Sequence, residues 1–365
     1  MSSYPRPRRF EDFRIAIICA LPREYDAAIL AFDEIWNDDG NGYEPALRQH
    51  SNHMLGRIGV HNVVLVLLPN MGKVSAANET ARLQSTYAGL ELAILTGICG
   101  GVPSPGTEKE VLLGDVVISE SIVQYDLGRQ YPSKFSRKDT VDDNLGRPNK
   151  NIRILLTVLE TQLGLNEMQR ELNQGLAQIR QKAIDAKYRC CYDRPAAEED
   201  MLFEPDYPHK HRNQSYCGCG VSTTCDEAIS ASCEDLQCDH RRQVFRKRLE
   251  SKRKRELGEE GGIANIHESR IHIGCIGSGD TVMKSGEHRD RVAAEHGIVA
   301  FEMESAGVWD EFPCIIVKGV CDYADSHKHK KWQNFAAATA ASATKALLQR
   351  YPREKKFRVI SAGCK

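Results

Sequence analysis

The run Ile298-Val299-Ala300-Phe301-Glu302-Met303-Glu304-Ser305 is followed by Cys314-Ile315-Ile316-Val317 and then by Cys321-Asp322-Tyr323-Ala324-Asp325. In both places a short apolar run, typical of a buried strand, leads into acidic residues and then into a helix-compatible stretch. Carboxylates at the ends of two successive strands lie side by side at one edge of a sheet, where open α/β folds bind ligands. Taken singly, Glu304 and Asp322 are also good helix caps, so this pattern alone leaves both interpretations open.

Strands and helices alternate along most of the chain. The continuous apolar run at 14–21 is typical of a strand buried on both faces, and Pro22 suits the first turn of a following helix. Further strand-like and helix-like segments lie at 56–60, 63–68, 73–87, 92–95, 115–125, 271–276, 287–295 and 332–349. This order predicts one α/β domain at 14–350 with a mixed sheet, flanked by tails at 1–13 and 351–365.

A long interruption at about 130–265 differs in character. It begins polar, contains an amphipathic stretch at 152–165 and ends in a basic run at 241–255. Because charge runs are usually solvated, we interpret this stretch as an insertion whose basic end faces solvent.

Seven of the thirteen cysteines lie between Cys190 and Cys238, inside the interruption. Thiolates and imidazoles are the ligands of structural zinc, and the candidate ligands chosen from this patch are Cys217, Cys219, Cys238 and His240. No pair has the C-x₂-C spacing that makes a zinc pattern specific. A thiol-rich loop without metal is therefore the alternative.

The charge composition gives no indication that the protein binds nucleic acid or a membrane. The 365 residues carry 49 basic and 50 acidic side chains, a formal net charge of −1, so no global field favours nucleic acid or a membrane surface. The longest aliphatic run, at 63–68, is too short to span a bilayer, and the basic residues at the N-terminus are not followed by an apolar segment. We expect a cytoplasmic protein with mostly free thiols, and the basic run at 241–255 makes a nuclear location the alternative.

Six segments together resemble the nucleoside phosphorylase/nucleosidase superfamily, specifically its methylthioadenosine nucleosidase branch. The version most similar is the domain at the N-termini of fungal NACHT and ankyrin-repeat immune-type proteins. The resemblance covers about residues 14–126 and 271–350. Besides the two acidic clusters, it rests on Ile18-Cys19-Ala20-Leu21-Pro22-Arg23-Glu24, Met71-Gly72-Lys73-Val74, Thr96-Gly97-Ile98-Cys99-Gly100-Gly101 and Gly277-Ser278-Gly279-Asp280. It implies a three-layer α/β sandwich around a mixed, partly closed sheet, assembled as a homo-oligomer.

The resemblance also implies the roles of the site residues. Asp322 matches the acid that protonates the departing purine, Glu24 the base that activates water, and Glu304 the carboxylate that holds the ribose hydroxyls. To carry a proton at neutral pH, an aspartate must be desolvated or lie close to another anion. No cofactor is required for this chemistry. The other residues assigned to substrate are Met303, Glu302, Gly97, Ile98, Val282, Met283 and Trp332, the last with core packing as an equally natural role.

Three functions remain open at this stage. Superfamily phosphorylases carry an arginine and a hydroxyl where this chain has Leu95 and Ile98, and an apolar pair cannot bind phosphate. Hydrolysis of a purine N-glycosidic bond is therefore expected, with phosphorolysis as the enzymatic alternative. Val282, where nucleosidases often have a base-stacking phenylalanine, leaves a non-catalytic nucleotide-sensing or scaffold module as the third possibility.

The small-molecule partner is expected to be an adenine nucleoside or nucleotide, including ATP. Some relatives in the immune-type branch act on ATP and release ribose 5-triphosphate. Lys328, Lys330 and Lys331 follow a strand end of the expected site and could contact 5′ phosphates. A solvated basic loop is the alternative interpretation of the same lysines.

Overall fold

The computed structural model describes residues 5–36, 52–104, 106, 109–212, 217–220, 223–258, 269–328 and 330–352. The first strand, β1 (Ile15–Cys19), is buried along its whole length. It lies between two parallel neighbours, β4 (His61–Leu67) and β5 (Leu92–Gly101). Both of its faces are covered, which is why its sequence is continuously apolar.

Eight further strands and nine helices complete the described fold. The strands are β2 (Glu34–Ile35), β3 (His53–Ile58), β6 (Val116–Gln124), β7 (Gly128–Gln130), β8 (Phe135–Arg137), β9 (Ile271–Ser278), β10 (Ile298–Glu302) and β11 (Cys314–Asp322). The α-helices are α1 (Pro22–Ala31), α2 (Lys73–Thr86), α3 (Lys150–Glu160), α4 (Gln162–Asp185), α5 (Asp226–Ser230), α6 (Lys247–Glu256), α7 (Gly286–His296), α8 (Ser305–Glu311) and α9 (Gln333–Arg350).

One end of the main sheet closes on itself. Its strands run in the order β10-β9-β6-β11-β5-β1-β4-β3-β2, and β10 pairs in addition with the end of β5. In that closing pair Ala300 lies opposite Gly101 and Phe301 opposite Gly100, antiparallel. Strands β5, β11, β6, β9 and β10 thus form a small barrel, and β1, β4, β3 and β2 extend from it as an open sheet. The mixed, partly closed sheet expected from the resemblance is confirmed.

Two apolar cores cover the two faces of the sheet. Alternate residues of β1 point to opposite faces, as the period of a strand requires. Ile15 and Ile17 belong to a core that contains Leu347 of α9, whereas Ala16 and Ile18 belong to a core that contains Leu83 of α2 and Val308 of α8. The result is the predicted three-layer sandwich.

The first part of the predicted insertion belongs to one of these layers. The amphipathic stretch forms α3, and α4 follows it and packs along α9. Leu155 of α3 and Met168 and Leu172 of α4 are buried in the core shared with α9. An amphipathic helix buries its apolar stripe wherever a partner surface is offered, and here α9 offers one.

The basic run at the end of the predicted insertion is not simply a solvated surface. Arg246 is buried and pairs with the buried Asp200, and Arg248 pairs with Asp115, which is inaccessible to solvent. Burial by itself would raise the pKa of Asp115, but the Arg248 guanidinium and His272 hold it well below its ordinary range. Part of the positive charge at 241–255 therefore neutralises internal carboxylates. The pattern of charges alone does not indicate these partners, because they lie far away in the sequence.

Some expectations concern residues outside the described ranges. These are residues 1–4 and 353–365 of the predicted tails, residues 213–216, 221–222 and 259–268 of the predicted insertion, and His329 within the lysine-rich loop. Within the described ranges, no helix combines the length and the apolar composition that a bilayer span requires.

Candidate active site

A cleft lies where β5, β10 and β11 end and α1 begins. It collects residues from sequence segments that are far apart in the chain. Its lining residues are Ala20, Leu21, Glu24, Met71, Ile98, Cys99, Gly100, Thr281, Val282, Met283, Phe301, Glu302, Met303, Glu304, Cys321, Asp322, Ala324, Lys328 and Gln333. All three residues with predicted catalytic roles are in this set.

Glu24 is held at the start of α1 by backbone donors. Pro22 opens the helix, and Glu24 at its third position reaches back to the turn before it. Its Oε2 accepts hydrogen bonds from the N–H groups of Ala20 and Leu21, both at 2.9 Å, and its Oε1 accepts one from Ile98 N–H at 2.8 Å. Since a carboxylate oxygen can accept two hydrogen bonds, Oε1 retains capacity toward the cleft.

Two glycines of the cluster at 96–101 make room for carboxylates. A Cβ atom added to Gly97 would lie 2.3 Å from Glu24 Oε1, and one added to Gly100 would lie 2.8 Å from Asp322 Oδ1. Any side chain at either position would displace one of the two acids. Gly97 therefore acts through Glu24 rather than by lining the cleft itself.

Glu302, Glu304 and Lys318 form a buried charged group beneath the cleft. Lys318 Nζ lies 3.2 Å from Glu304 Oε2 and 3.5 Å from Glu302 Oε2. The Glu302 carboxylate also accepts from the backbone N–H groups of Glu304 and Ser305 and from the Ser305 hydroxyl. Glu302 therefore has hydrogen-bond partners at both carboxylate oxygens, whereas within the described ranges Glu304 has one further hydrogen bond, from Gly72 N–H at 3.4 Å.

The environment shifts the pKa values of this group. Burial raises the pKa of Glu304 to about 7, with Lys318 opposing the shift and the Glu302 and Glu24 carboxylates adding to it. Burial would lower the pKa of Lys318, but the same three carboxylates hold it above its ordinary value. Lys318 therefore remains charged, and Glu304 titrates near neutral pH.

Asp322 lies at the end of β11 beside a second lysine. Its Oδ1 accepts from Ala324 N–H at 2.8 Å and lies 3.0 Å from Lys328 Nζ. Burial opposes the charge of Lys328, yet Asp322 raises its pKa above the ordinary value. Asp322 thus faces the cleft with one oxygen held by the backbone and by a cation.

The insertion supports the strand end that carries Asp322. The Tyr323 hydroxyl donates to Asp200 Oδ1 at 2.7 Å, and Arg246 contacts both groups. On the other side, Arg289 donates to the Tyr323 carbonyl at 2.8 Å. Tyr323, the residue next to Asp322, is therefore held by hydrogen bonds at both its side chain and its backbone.

Most of the other predicted site residues line the cleft as well. Met303, Ile98, Val282 and Met283 do so, and Val282 is 47% exposed at its mouth. Met303 follows Glu302 on the turn into α8, which directs it toward the same space as Glu304.

Three predicted substrate contacts are placed elsewhere by the structure. Trp332 is completely buried, packs on Phe335 and donates from Nε1 to the Glu199 carbonyl, so core packing is its role. Lys331 is exposed and pairs with Glu199 at 2.8 Å. Lys330 is exposed and does not line the cleft. The turn before α9 points these side chains toward the insertion and solvent, and only Lys328 faces the cleft.

Lys318 and several residues that line the cleft are not among the site residues predicted from the sequence. Lys318 interrupts the apolar run Ile315-Ile316-Val317, and a lysine inside an otherwise buried strand needs a carboxylate partner. The sequence therefore contains a signal that Lys318 has a buried carboxylate partner. Phe301, Ala324 and Gln333 had no comparable signal, because their roles depend on barrel closure and on the entry angle of α9.

The four predicted zinc ligands do not form one site. Cys217 and Cys219 lie in a group with His211 and Cys225, whereas Cys238 lies in a separate group with His209, Cys233 and His327. His240 belongs to neither group; it is exposed, and its Nδ1 lies 2.9 Å from Gln243 Nε2. The short 3₁₀ turn at His240–Arg242 directs this imidazole away from the cysteines.

Comparisons with known proteins show which sequences and structures this chain resembles. Residues 14–176 match the model of the phosphorylase superfamily. A nucleotide-binding leucine-rich repeat (NLR)-like protein of Hyaloscypha variabilis is 31% identical over 355 residues; the match covers 93% of this chain and 29% of that protein, so the chain spans less than a third of this relative. A 5′-methylthioadenosine/S-adenosylhomocysteine nucleosidase of Mycobacterium bovis is 23% identical, with 93% of this chain and 96% of the nucleosidase covered.

The fold agrees with these sequence matches. The structure of the corresponding nucleosidase of S. pneumoniae, with a transition-state inhibitor, superposes with a TM-score of 0.50 at 16% identity. The match covers 92% of this chain and 99% of that one. The resemblance read from the sequence is thereby confirmed: the chain is similar to the phosphorylase superfamily over residues 14–176 and to a nucleosidase over nearly its whole length.

Proposed function

We propose that this protein is a purine N-glycosidase that hydrolyses an adenine nucleoside to adenine and the free sugar, or an adenine nucleotide such as ATP to adenine and the sugar phosphate. The observation that carries the proposal is the convergence of Glu24, Glu304 and Asp322 in one cleft, each in a different environment. Cleavage of a glycosidic bond needs an acid for the leaving group and a base for water, and both must be present together. The nucleosidase relatives support this choice of reaction.

Glu24 is proposed to activate the nucleophilic water. Its three backbone donors fix the carboxylate, and the remaining capacity of Oε1 can accept a proton of a water molecule directed at the anomeric carbon. The water oxygen bonds to that carbon as the bond to the purine nitrogen breaks, and Glu24 receives the water proton.

Asp322 is proposed to protonate the departing purine. A proton delivered to the base makes the leaving group neutral, so that the electron pair of the broken bond does not create a purine anion. Lys328, 3.0 Å from Asp322 Oδ1, positions this carboxyl group and supplies a neighbouring N–H donor. It is a cation where an anion was expected beside a proton-carrying aspartate, so proton transfer to the purine is the step that an Asp322 variant must test. Glu304 is proposed to accept hydrogen bonds from the ribose hydroxyls, while Lys318 holds it in place.

Phosphorolysis is less well supported than hydrolysis. Leu95 is completely buried in the core, and Ile98 contributes an apolar side chain and an N–H that is already donated to Glu24. Neither side chain supplies a charge-assisted or hydroxyl hydrogen bond to a phosphate dianion.

Product analysis tests the reaction type. With adenine nucleosides as substrates, we expect free adenine and an unphosphorylated anomeric carbon, with no acceleration by added phosphate. Glu24→Gln should lower kcat by about 10²–10⁴, because the general base is lost while the side-chain volume is kept. Glu11→Gln, an exposed glutamate outside the cleft, is the matched control. Ribose 1-phosphate among the products would establish phosphorolysis, and absence of any adenine would favour the sensor or scaffold alternative.

The substrate's 5′ group is best examined in the same assay. The nucleotide hypothesis needs several cations near the sugar, but Lys328 is paired with Asp322, Lys331 with Glu199 and Lys73 with Asp126. Among the described lining residues, the apolar side chains of Met71 and Met283 favour an uncharged 5′ group instead. A panel of adenosine, methylthioadenosine, AMP and ATP shows directly whether a charged or an uncharged 5′ group is preferred.

The expected homo-oligomer is tested separately, by measuring the molar mass in solution with light scattering.

Activity should depend on pH through Glu304. Ionised Glu304 accepts two hydrogen bonds from ribose hydroxyls, and protonation removes part of this capacity. Because its pKa is raised to about 7, kcat/KM should rise with pH through about that value and then level off. The check is a pH–rate profile at constant ionic strength. Glu304→Gln should lack this rise, and a wild-type profile flat between about pH 6 and about pH 8 would contradict the assignment.

A further inference from the structure

Eight histidine and cysteine side chains outside the cleft form two four-membered groups. Group one is His209, Cys233, Cys238 and His327, and group two is His211, Cys217, Cys219 and Cys225; within each group the potential ligand atoms all lie within 4.8 Å of one another. The two groups interleave, since His209 and His211 are separated by one residue and enter different groups.

The spacing in group one matches the edges of a tetrahedral zinc site. With Zn–S near 2.3 Å and Zn–N near 2.0 Å, a tetrahedron has edges of about 3.3 Å between nitrogens and about 3.5 Å between nitrogen and sulfur. The two Nδ1 atoms of His209 and His327 are 3.3 Å apart. Their distances to the two sulfurs are 3.7 and 3.5 Å for Cys233 and 3.4 and 3.8 Å for Cys238.

The hydrogen bonds of the two imidazoles fix which nitrogen faces the group. His209 Nε2 lies 2.9 Å from the Ala231 carbonyl and His327 Nε2 lies 2.7 Å from the Tyr207 carbonyl. A carbonyl oxygen only accepts, so each Nε2 carries the hydrogen and each neutral ring turns the Nδ1 lone pair inward. Two lone pairs at 3.3 Å repel unless a proton on one ring or a metal ion lies between them. A backbone carbonyl on the second ring nitrogen is the usual support of a metal-binding histidine.

Group two has a similar spacing with three sulfurs and one nitrogen. The Cys219 and Cys225 sulfurs are 3.6 Å apart, and they lie 3.9 and 3.4 Å from His211 Nδ1. The corresponding tetrahedral edges are about 3.8 Å between sulfurs and about 3.5 Å between sulfur and nitrogen. Backbone N–H groups of Cys225 and Ala228 point at the Cys219 and Cys225 sulfurs, as they do toward thiolates.

We propose that the insertion binds two structural Zn²⁺ ions, one in each group. Four protein ligands close each coordination sphere, which distinguishes a structural site from a catalytic one with an open position. Mixed imidazole and thiolate ligands in tetrahedral arrangement favour zinc over harder cations such as Mg²⁺ or Ca²⁺.

The ion in group one cross-links the insertion to the candidate active site. His327 is the one member of group one that lies outside the insertion, and it is adjacent to Lys328, the partner of Asp322. Its backbone N–H donates to Asp325 Oδ1 at 2.9 Å within the same loop. A metal bond to His327 therefore orders the segment from Asp322 to Lys328. This consequence for catalysis rests on the proposed function, whereas the two metal sites do not.

Elemental analysis of the full chain, purified without chelator, tests the sites. We expect two equivalents of zinc in the wild type, one in Cys233→Ser/Cys238→Ser and one in Cys219→Ser/Cys225→Ser. Cys190→Ser/Cys191→Ser, which changes thiols of the same region outside both groups, should retain two. Fewer than two equivalents in the wild type after reconstitution with Zn²⁺ under reducing conditions would overturn the two-site proposal. Since this measurement uses the wild type, it does not depend on how well a variant folds.

Replacement by Co²⁺ gives an independent readout of the wild type. Tetrahedral cobalt with thiolate ligands should show visible bands and sulfur-to-metal charge transfer, and the intensity of the latter should fall in each double variant. An octahedral spectrum without charge transfer would overturn the ligand assignment.

The cross-link to the active site is tested by hydrogen exchange. Amides of the segment from Asp322 to His327 should lose protection in Cys233→Ser/Cys238→Ser and keep it in Cys219→Ser/Cys225→Ser. The kcat for base release should fall at least about tenfold in the first variant and less than about twofold in the second, because only the first loosens the general acid. Equal protection in both variants would overturn the cross-link, whether or not the protein has the proposed activity.

Discussion

Asp322→Asn is expected to lower kcat for adenine release by a factor of about 10²–10⁴ and to leave substrate affinity nearly unchanged. Asparagine has the volume of aspartate, so it fits against Gly100, where a larger group would collide. Its amide can still form hydrogen bonds with a purine and with Ala324 N–H, which preserves binding. It has no acidic proton to transfer, so the purine must leave as an anion.

The measurement is steady-state release of adenine together with the dissociation constant of a non-hydrolysable analogue. Asp310→Asn, an exposed aspartate at the end of α8, is the control and should turn over like the wild type. A turnover within about threefold of the wild type in Asp322→Asn would remove Asp322 from the mechanism, since general acids contribute far more than that.

Lys318→Met is expected to reduce the free energy of unfolding by about 3–5 kcal/mol, because it removes one partner from a buried ion pair. Methionine fills nearly the same space, so the loss does not come from a cavity. What remains is two buried carboxylates, Glu302 and Glu304, without the cation that now lies 3.5 and 3.2 Å from them. Their mutual repulsion should also raise the pKa of Glu304 beyond about 7, since Lys318 is the group that lowers it.

The loss of stability caused by Lys318→Met should depend on pH. A carboxyl group whose pKa is higher in the folded state than in the unfolded state stabilises the fold at low pH and loses that contribution as pH rises through the folded pKa. Lys318→Met should therefore be more destabilising at about pH 8 than at about pH 6, and the rise of kcat/KM with pH should shift to higher pH.

Urea unfolding at both pH values provides the measurement. Lys345→Met is the matched control, because Lys345 pairs with Asp33, whose side chain is 42% exposed. That variant should lower the free energy of unfolding by about 1 kcal/mol or less, which is the range for partly exposed ion pairs. Equal losses in the two variants, or a loss in Lys318→Met that is independent of pH, would contradict the buried-pair interpretation.

The fold class and the family were accessible from the sequence because their signals are local. Apolar runs such as 14–21 and 314–317 mark buried strands whatever their neighbours are, and the acidic residues after such strands mark one edge of the sheet. Glu24, Glu304 and Asp322 are all of this kind. Each is placed by the end of a strand or the start of a helix, so its position in the cleft follows once the strand order is given.

Tertiary structure decided what depends on pairing between distant segments. Closure of the barrel by β10 against β5 brings Phe301 into the cleft, and the entry angle of α9 buries Trp332 instead of exposing it to substrate. The partners of Lys318 lie at the end of another strand, Glu302 as the last residue of β10 and Glu304 at the start of α8.

The potential metal ligands show most clearly that contacts between distant segments cannot be predicted from the sequence alone. The abundance of cysteine in the patch suggested zinc, but the ligands predicted from the sequence included His240, which is exposed. His327, which lies beyond the patch and beside the active-site lysine, is brought within reach of Cys233 and Cys238 only by the folded chain. Spacing along the sequence determines which residues share a strand end or a helix turn, whereas a tetrahedral ligand set requires four atoms at fixed distances in space. Such distances are set by packing, and neighbouring sequence does not contain them.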